Sequence, residues 1–196
     1  MPLNLEPRNG DFTPYIKFNA KAGRWYTKTD SGEEVEVSNM TAIFDLANIK
    51  TGWINFVEGA APDVVYDNGS TAKQPSPQHK RGFAVNAFSA KELGGLREFS
   101  STSNSAIIAI KELYEEFEAA PESRKGLVPV VKCENVLPVK SKFGTNYQPV
   151  LTISKWVPRP PAMLATINGA PEETAEEKVP PPADKSKPEE ANTEEF

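Results

Sequence analysis

Cysteine and histidine are almost absent: the 196 residues hold one of each, Cys133 and His79. A single cysteine excludes an internal disulfide framework and suits a reducing cytoplasm. The histidine stands in a Pro/Gln-rich stretch with no cysteine or carboxylate at ligand spacing, and it reads as a solvated loop residue. Cys-x-x-Cys, His-x-His, P-loop and Gly-x-Gly-x-x-Gly patterns are all missing. No window approaches a membrane-spanning length of apolar residues, and the N-terminus lacks the basic-then-apolar pattern of a secretion signal. The expectation is a cytoplasmic protein that is not an enzyme and uses no cofactor or metal. A metal-dependent nuclease would have only the loose acids Asp45, Glu58, Asp63 and Asp67 to draw on.

The charge is unevenly placed. Formal net charge is −5, but residues 170–196 hold nine acidic residues against three lysines. Without them the body has 19 basic and 18 acidic residues and is nearly neutral. Between Pro158 and the end the only aromatic is Phe196. A segment with so little to bury cannot offset its ordering entropy, so it is expected to be disordered. Its tip, Glu194-Glu195-Phe196, sets an aromatic ring beside a carboxylate, a compact hook for a basic pocket on a partner.

The body, about 160 residues, fits one domain that can bury roughly 70% of its unfolded surface. Strand signals run over Tyr15–Ala20 and Arg24–Lys28, begin again at Val35 and return at Ile54–Val57, with Gly52 as a break and Ile43–Ala47 ambiguous. Residues 58–80 read as one long loop. Phe83–Phe88 is a strand, and Gly94-Gly95 follows as a hinge. A helix capped by Ser103 or Asn104 runs to Pro121, burying Ile107, Ile110, Tyr114 and Phe117 with Ile108 and Leu113 widening that face. Leu127–Leu137 and Tyr147–Val157 are the closing strands, with Cys133 a small core residue among valines. Three strands, a helix and two strands fit a mainly β, five-stranded OB-like Greek-key barrel over residues 1–160, with a Pro-rich linker and acidic tail over 161–196.

Basic and aromatic residues are interleaved along the strands and loops. The candidate set for holding single strands is Lys17, Arg24, Trp25, Tyr26, Lys28, Trp53, Lys80, Arg81, Phe83, Lys140, Lys142, Phe143, Tyr147, Lys155 and Trp156. Lysine and arginine would meet phosphates, and aromatic faces would stack on bases with little regard to sequence. Strand alternation allows only about half of the aromatics to face outward. Trp25 and Tyr26, being adjacent, should face opposite sides.

An OB-like body, a linker opening at Pro158-Arg159-Pro160-Pro161 and an acidic tail ending in Phe196 together resemble the phage-type single-stranded DNA-binding proteins of the T7 kind. The tail is also similar to that of the bacterial family. The resemblance implies protection of single strands in replication, recombination or repair. It further implies partner docking by Glu194, Glu195 and Phe196, and a tail that competes with DNA. The tip lacks the Ile-Pro-Phe ending and aspartate run of the bacterial proteins, so the docking partner is open. The rival expectation is a phage structural or adaptor module whose acidic tail is solubilising and whose aromatics are all core. Either could be a homo-oligomer.

Overall fold

The computed structural model describes residues 14–29, 31–142 and 144–168. Eight strands come first: β1 (Tyr15–Asn19), β2 (Arg24–Lys28), β3 (Glu34–Val37), β4 (Thr41–Phe44), β5 (Lys50–Asn55), β6 (Asp63–Tyr66), β7 (Lys80–Ser89) and β8 (Gly95–Ser101). Helix α1 (Asn104–Ala119), strands β9 (Val128–Ser141) and β10 (Gly144–Val157), and helix α2 (Pro161–Asn168) follow. Among the described residues ten strands form one sheet in the order β10-β9-β4-β7-β8-β1-β2-β3, with β5 also on β7 and β6 beyond it. Among the described residues only the β1–β8 pairing is parallel.

The chain is thus mainly β with one long helix, but the expected five-stranded barrel is corrected to a ten-stranded mixed sheet. Two strands were hidden for identifiable reasons. β8 turns Arg97 inward, 6% exposed, where a strand pattern calls for an apolar residue; its guanidinium donates to the Leu96 carbonyl at 2.8 Å. β6 is four residues long and lies inside a Pro/Gly-rich stretch that reads as loop. Gly52 is not a break either. It pairs with Gly82 inside the β5–β7 ladder. A Cβ there would lie 2.4 Å from the Val65 carbonyl oxygen on Gly52 and 2.5 Å from that of Ser101 on Gly82. Backbone from the flanking strands crowds both positions, and only glycine leaves room for it.

The inward face is organised on aromatic rings. Phe99 sits 5.0 Å from Trp25 and 5.1 Å from Phe83, and Phe18 lies 5.1 Å from Trp25. Each such ring, fully buried, contributes about 1.5–3 kcal/mol. Helix α1 begins at Ser103, whose hydroxyl accepts from the Ala106 amide. It buries Ala106, Ala109, Ile110, Leu113 and Phe117 at helical spacing, and Phe117 stacks on Trp156 of β10. Ile108, expected to widen the buried face, points outward at 44% exposure. Cys133 is half-buried on β9, packed against the core, and burial raises its thiol pKa.

Regular structure continues past Pro160, where the linker was expected to begin. Pro161 opens α2, and Met163 is wholly buried. Arg159 forms an ion pair with Asp45, a carboxylate 1% exposed that also accepts from the Asn48 side chain. No described helix is long and apolar enough to cross a membrane.

Candidate nucleic-acid interface

Strand register decides which side chains share a face. Lys17 pairs with Tyr26, Asn19 with Arg24, Tyr26 with Glu36 and Lys28 with Glu34. Across the parallel join Tyr15 pairs with Glu98, which pairs with Asn86; Ser100 pairs with Ala84, and Ala84 with Lys50. Tyr66 lies opposite Gly52 on the same side. The face opposite the core therefore holds Tyr15, Tyr26 and Tyr66 with Lys17, Arg24, Lys28 and Lys50. All three tyrosines are half-buried, each with a lysine over its ring: Lys28 on Tyr15 at 5.9 Å, Lys17 on Tyr26 at 5.7 Å, and Lys50 on Tyr66 at 5.3 Å. Such contacts hold the cations close to the aromatic faces.

Acids balance this face. Glu34 pairs with Lys17 at 2.5 Å and Glu36 with Arg24 at 2.8 Å. The Lys17 and Glu34 side chains are 43% and 40% exposed, and an ion pair so open to solvent contributes about 0–1 kcal/mol. A phosphate can replace that carboxylate at little cost. Glu98 is half-buried between Tyr15 and the Lys50–Tyr66 pair, and burial raises its pKa.

Of the residues expected to bind strands, Lys17, Arg24, Tyr26 and Lys28 come together here. The others are placed elsewhere, and several are corrected. Trp25 and Phe83 are core residues, 4% and 3% exposed, so neither offers a ring to a ligand. Trp156 is stacked at 5.8 Å on Phe117. Trp53 and Arg81 build a clamp on the long loop. Asp67 receives two hydrogen bonds from the Arg81 guanidinium, at 2.9 and 2.6 Å, and others from the Thr51 hydroxyl and the Ala72 amide. The Trp53 indole donates to the Ala72 carbonyl at 2.7 Å, and Arg81 lies 5.4 Å above its ring. Hydrogen bonds from Arg81, then Thr51, hold the Asp67 carboxyl far below the usual carboxylate range.

His79 is not solvated. It is 4% exposed, with Ser76 Oγ 2.8 Å from Nδ1 and the Asp63 carboxylate 3.2 Å from Nε2, off the line of a good hydrogen bond. Lys80 is exposed where β7 starts, and Lys155 is exposed on β10. Lys140 and Lys142 are exposed near the tip of the β9–β10 arm. Tyr147, opposite Pro138 on that arm, is half-buried against the β1–β2 turn, where its amide donates to the Ala20 carbonyl. Phe143, Glu194, Glu195 and Phe196 lie outside the described residues.

Sequence reasoning left Lys50, Tyr66 and Glu98 out of the site. Tyr66 was hidden by the loop-like composition around β6, and Glu98 by the irregular pattern of β8. Tyr15 was within reach, because it stands two residues before Lys17 on the same strand and so on the same face. Among the described residues no group of three His, Cys, Asp or Glu side chains could hold a metal ion. No family model, curated protein or solved structure matches the chain.

Proposed function

We propose that the chain binds single-stranded DNA without strong sequence preference and protects it during replication, recombination or repair. The observation that favours this is the face on which three tyrosines alternate with four cations across β2, β1, β5 and β6. Tyr15 and Tyr26 occupy diagonal positions of the β1–β2 pair, within reach of neighbouring nucleotides of an extended strand. Aromatic faces beside displaceable cations suit a ligand with a π-face on every unit and one phosphate between units. The acidic segment from Ala170 onward would compete with DNA for the same cations and present Glu194, Glu195 and Phe196 to partner proteins.

The test is fluorescence polarisation of a labelled oligo(dT) with the full chain and with a chain ending at Ala170, over a salt series. Engagement of Lys17, Arg24, Lys28 and Lys50 gives a log–log salt slope of about −3 at roughly −0.7 per phosphate. The shorter chain should bind more tightly, with the difference shrinking as salt rises. No binding by either form at low salt overturns the proposal.

One observation favours the rival reading of a protein-interaction module. Leu137 and Val139, 47% and 45% exposed, lie side by side on one face of the β9–β10 arm. A pair of apolar side chains there offers a small anchor for a protein partner.

A further inference from the structure

Glu98 stands out on a face that should otherwise favour anions. It occupies the middle of the face, pairing across strands with Tyr15 on one side and Asn86 on the other. The Ser100 hydroxyl hydrogen-bonds to it, and Lys50 lies close enough to interact with its charge. The Tyr66 hydroxyl is pushed above its ordinary range by burial and by the Glu98 carboxylate beside it. Two tyrosine rings therefore flank one carboxylate; Lys50 rests on the Tyr66 ring close to it, and Lys28 rests on the Tyr15 ring one strand further away. Glu34 and Glu36 each neutralise a cation directly. Glu98 is different in being partly withdrawn from solvent, where a carboxylate is costly unless something donates to it.

We propose that Glu98 reads the edge of a base stacked on Tyr15 or Tyr66, and so gives the face a preference for bases that present an exocyclic amino group. This rests on the single-strand-binding reading above. An ionised carboxylate only accepts hydrogen bonds. Cytosine offers it the N4 amino group, whereas thymine offers the O4 carbonyl at the same place, lone pair against lone pair. Stacking on tyrosine supplies affinity for either pyrimidine, and the carboxylate decides between them. Lys28 and Lys50 are placed to take the flanking phosphates, so the acid need not repel the strand as a whole.

The test compares oligo(dC) with oligo(dT) of equal length, using the wild-type full chain and Glu98→Gln. Wild type should bind oligo(dC) about tenfold more tightly, a modest share of the discrimination that one good base contact supplies. Glu98→Gln should bring the two within about twofold, since an amide can turn either a donor or an acceptor to the base. Oligo(dT) should gain and oligo(dC) lose affinity, since the carboxylate that opposed O4 and accepted from N4 is gone. The substitution is expected to fold. Burial raises the Glu98 pKa, so the folded state gains stability as the pH falls through the raised value and carries a cost above it. A neutral side chain removes that cost.

A ligand-side control makes no demand on the variant. An oligonucleotide of 2-pyrimidinone, which is cytosine without its amino group, should bind wild type clearly more weakly than oligo(dC). Equal wild-type affinity for oligo(dC) and oligo(dT) overturns the role of Glu98 and leaves single-strand binding standing. A preference that survives Glu98→Gln, or survives loss of the amino group, also overturns it. Binding to neither oligonucleotide overturns the underlying function itself.

Discussion

Tyr26→Ala is expected to weaken binding of an oligo(dT) strand by about tenfold, and Tyr15→Ala with Tyr26→Ala by about a hundredfold, since each base–aromatic stack is worth about 1–3 kcal/mol. Both rings are half-buried on the outer face and stand outside the core cluster, so their removal should cost little stability. Lys155→Ala is the instructive control. Lys155 is exposed and basic, yet it lies eight residues along β10 from Tyr147, the β10 residue that meets the β1–β2 turn. Its loss should change affinity by no more than about twofold, the scale of one screened surface charge. Equilibrium binding at a single fixed salt concentration checks all three variants. Equal losses from Lys155→Ala and Tyr26→Ala would mean that charge alone, and not the tyrosine face, holds the strand.

Arg159→Ala should lower stability by about 3 kcal/mol, because it leaves the buried Asp45 carboxylate without its ionic partner. For a domain of this size the melting temperature would fall by about 10 °C. Among the described residues Asp45 retains only the Asn48 amide as a side-chain donor once Arg159 is gone. Met163→Ala, at a wholly buried position of α2, should cost a comparable amount, about 2–5 kcal/mol. Together these residues fasten the stretch from Arg159 to Met163 onto the body. Replacing Asp45 and Arg159 together by apolar residues of similar size should recover much of the loss. Thermal unfolding followed by circular dichroism distinguishes these outcomes. A drop of under 1 kcal/mol for Arg159→Ala would show that the pair is not holding the segment down.

Where local pattern and tertiary structure agree, the sequence was readable. Tyr15–Asn19 and Arg24–Lys28 alternate cleanly and form β1 and β2. Adjacent Trp25 and Tyr26 do face opposite ways, Trp25 into the core and Tyr26 out. Helix α1 is capped by Ser103, one of the two residues its sequence offered. What was illegible depended on partners distant in the chain. The inward turn of Arg97, the Gly52–Gly82 pairing in the sheet and the Asp45–Arg159 pair are all settled by long-range contacts. Trp53 and Arg81 looked like ligand contacts because aromatic and basic residues in a loop have that composition. Asp67, 14 residues before Arg81, engages the arginine instead, and the Ala72 carbonyl takes the indole N–H. Half of the face was therefore visible from the sequence, the half that β1 and β2 supply. The other half, from β5, β6 and β8, needed the sheet.

The most direct test of where single strands bind is photocrosslinking with oligonucleotides carrying 5-iododeoxyuridine, followed by identification of the crosslinked residues by mass spectrometry. Halogenated bases crosslink efficiently to aromatic rings they stack on, so the adducts report the stacking partners themselves. Crosslinks at Tyr15, Tyr26 or Tyr66, lost when excess unlabelled oligo(dT) is added, are the expected result. Crosslinks confined to Trp53, Tyr147 or Trp156, with the three tyrosines unmodified, would contradict the placement of the strand on the face built by β1, β2, β5 and β6.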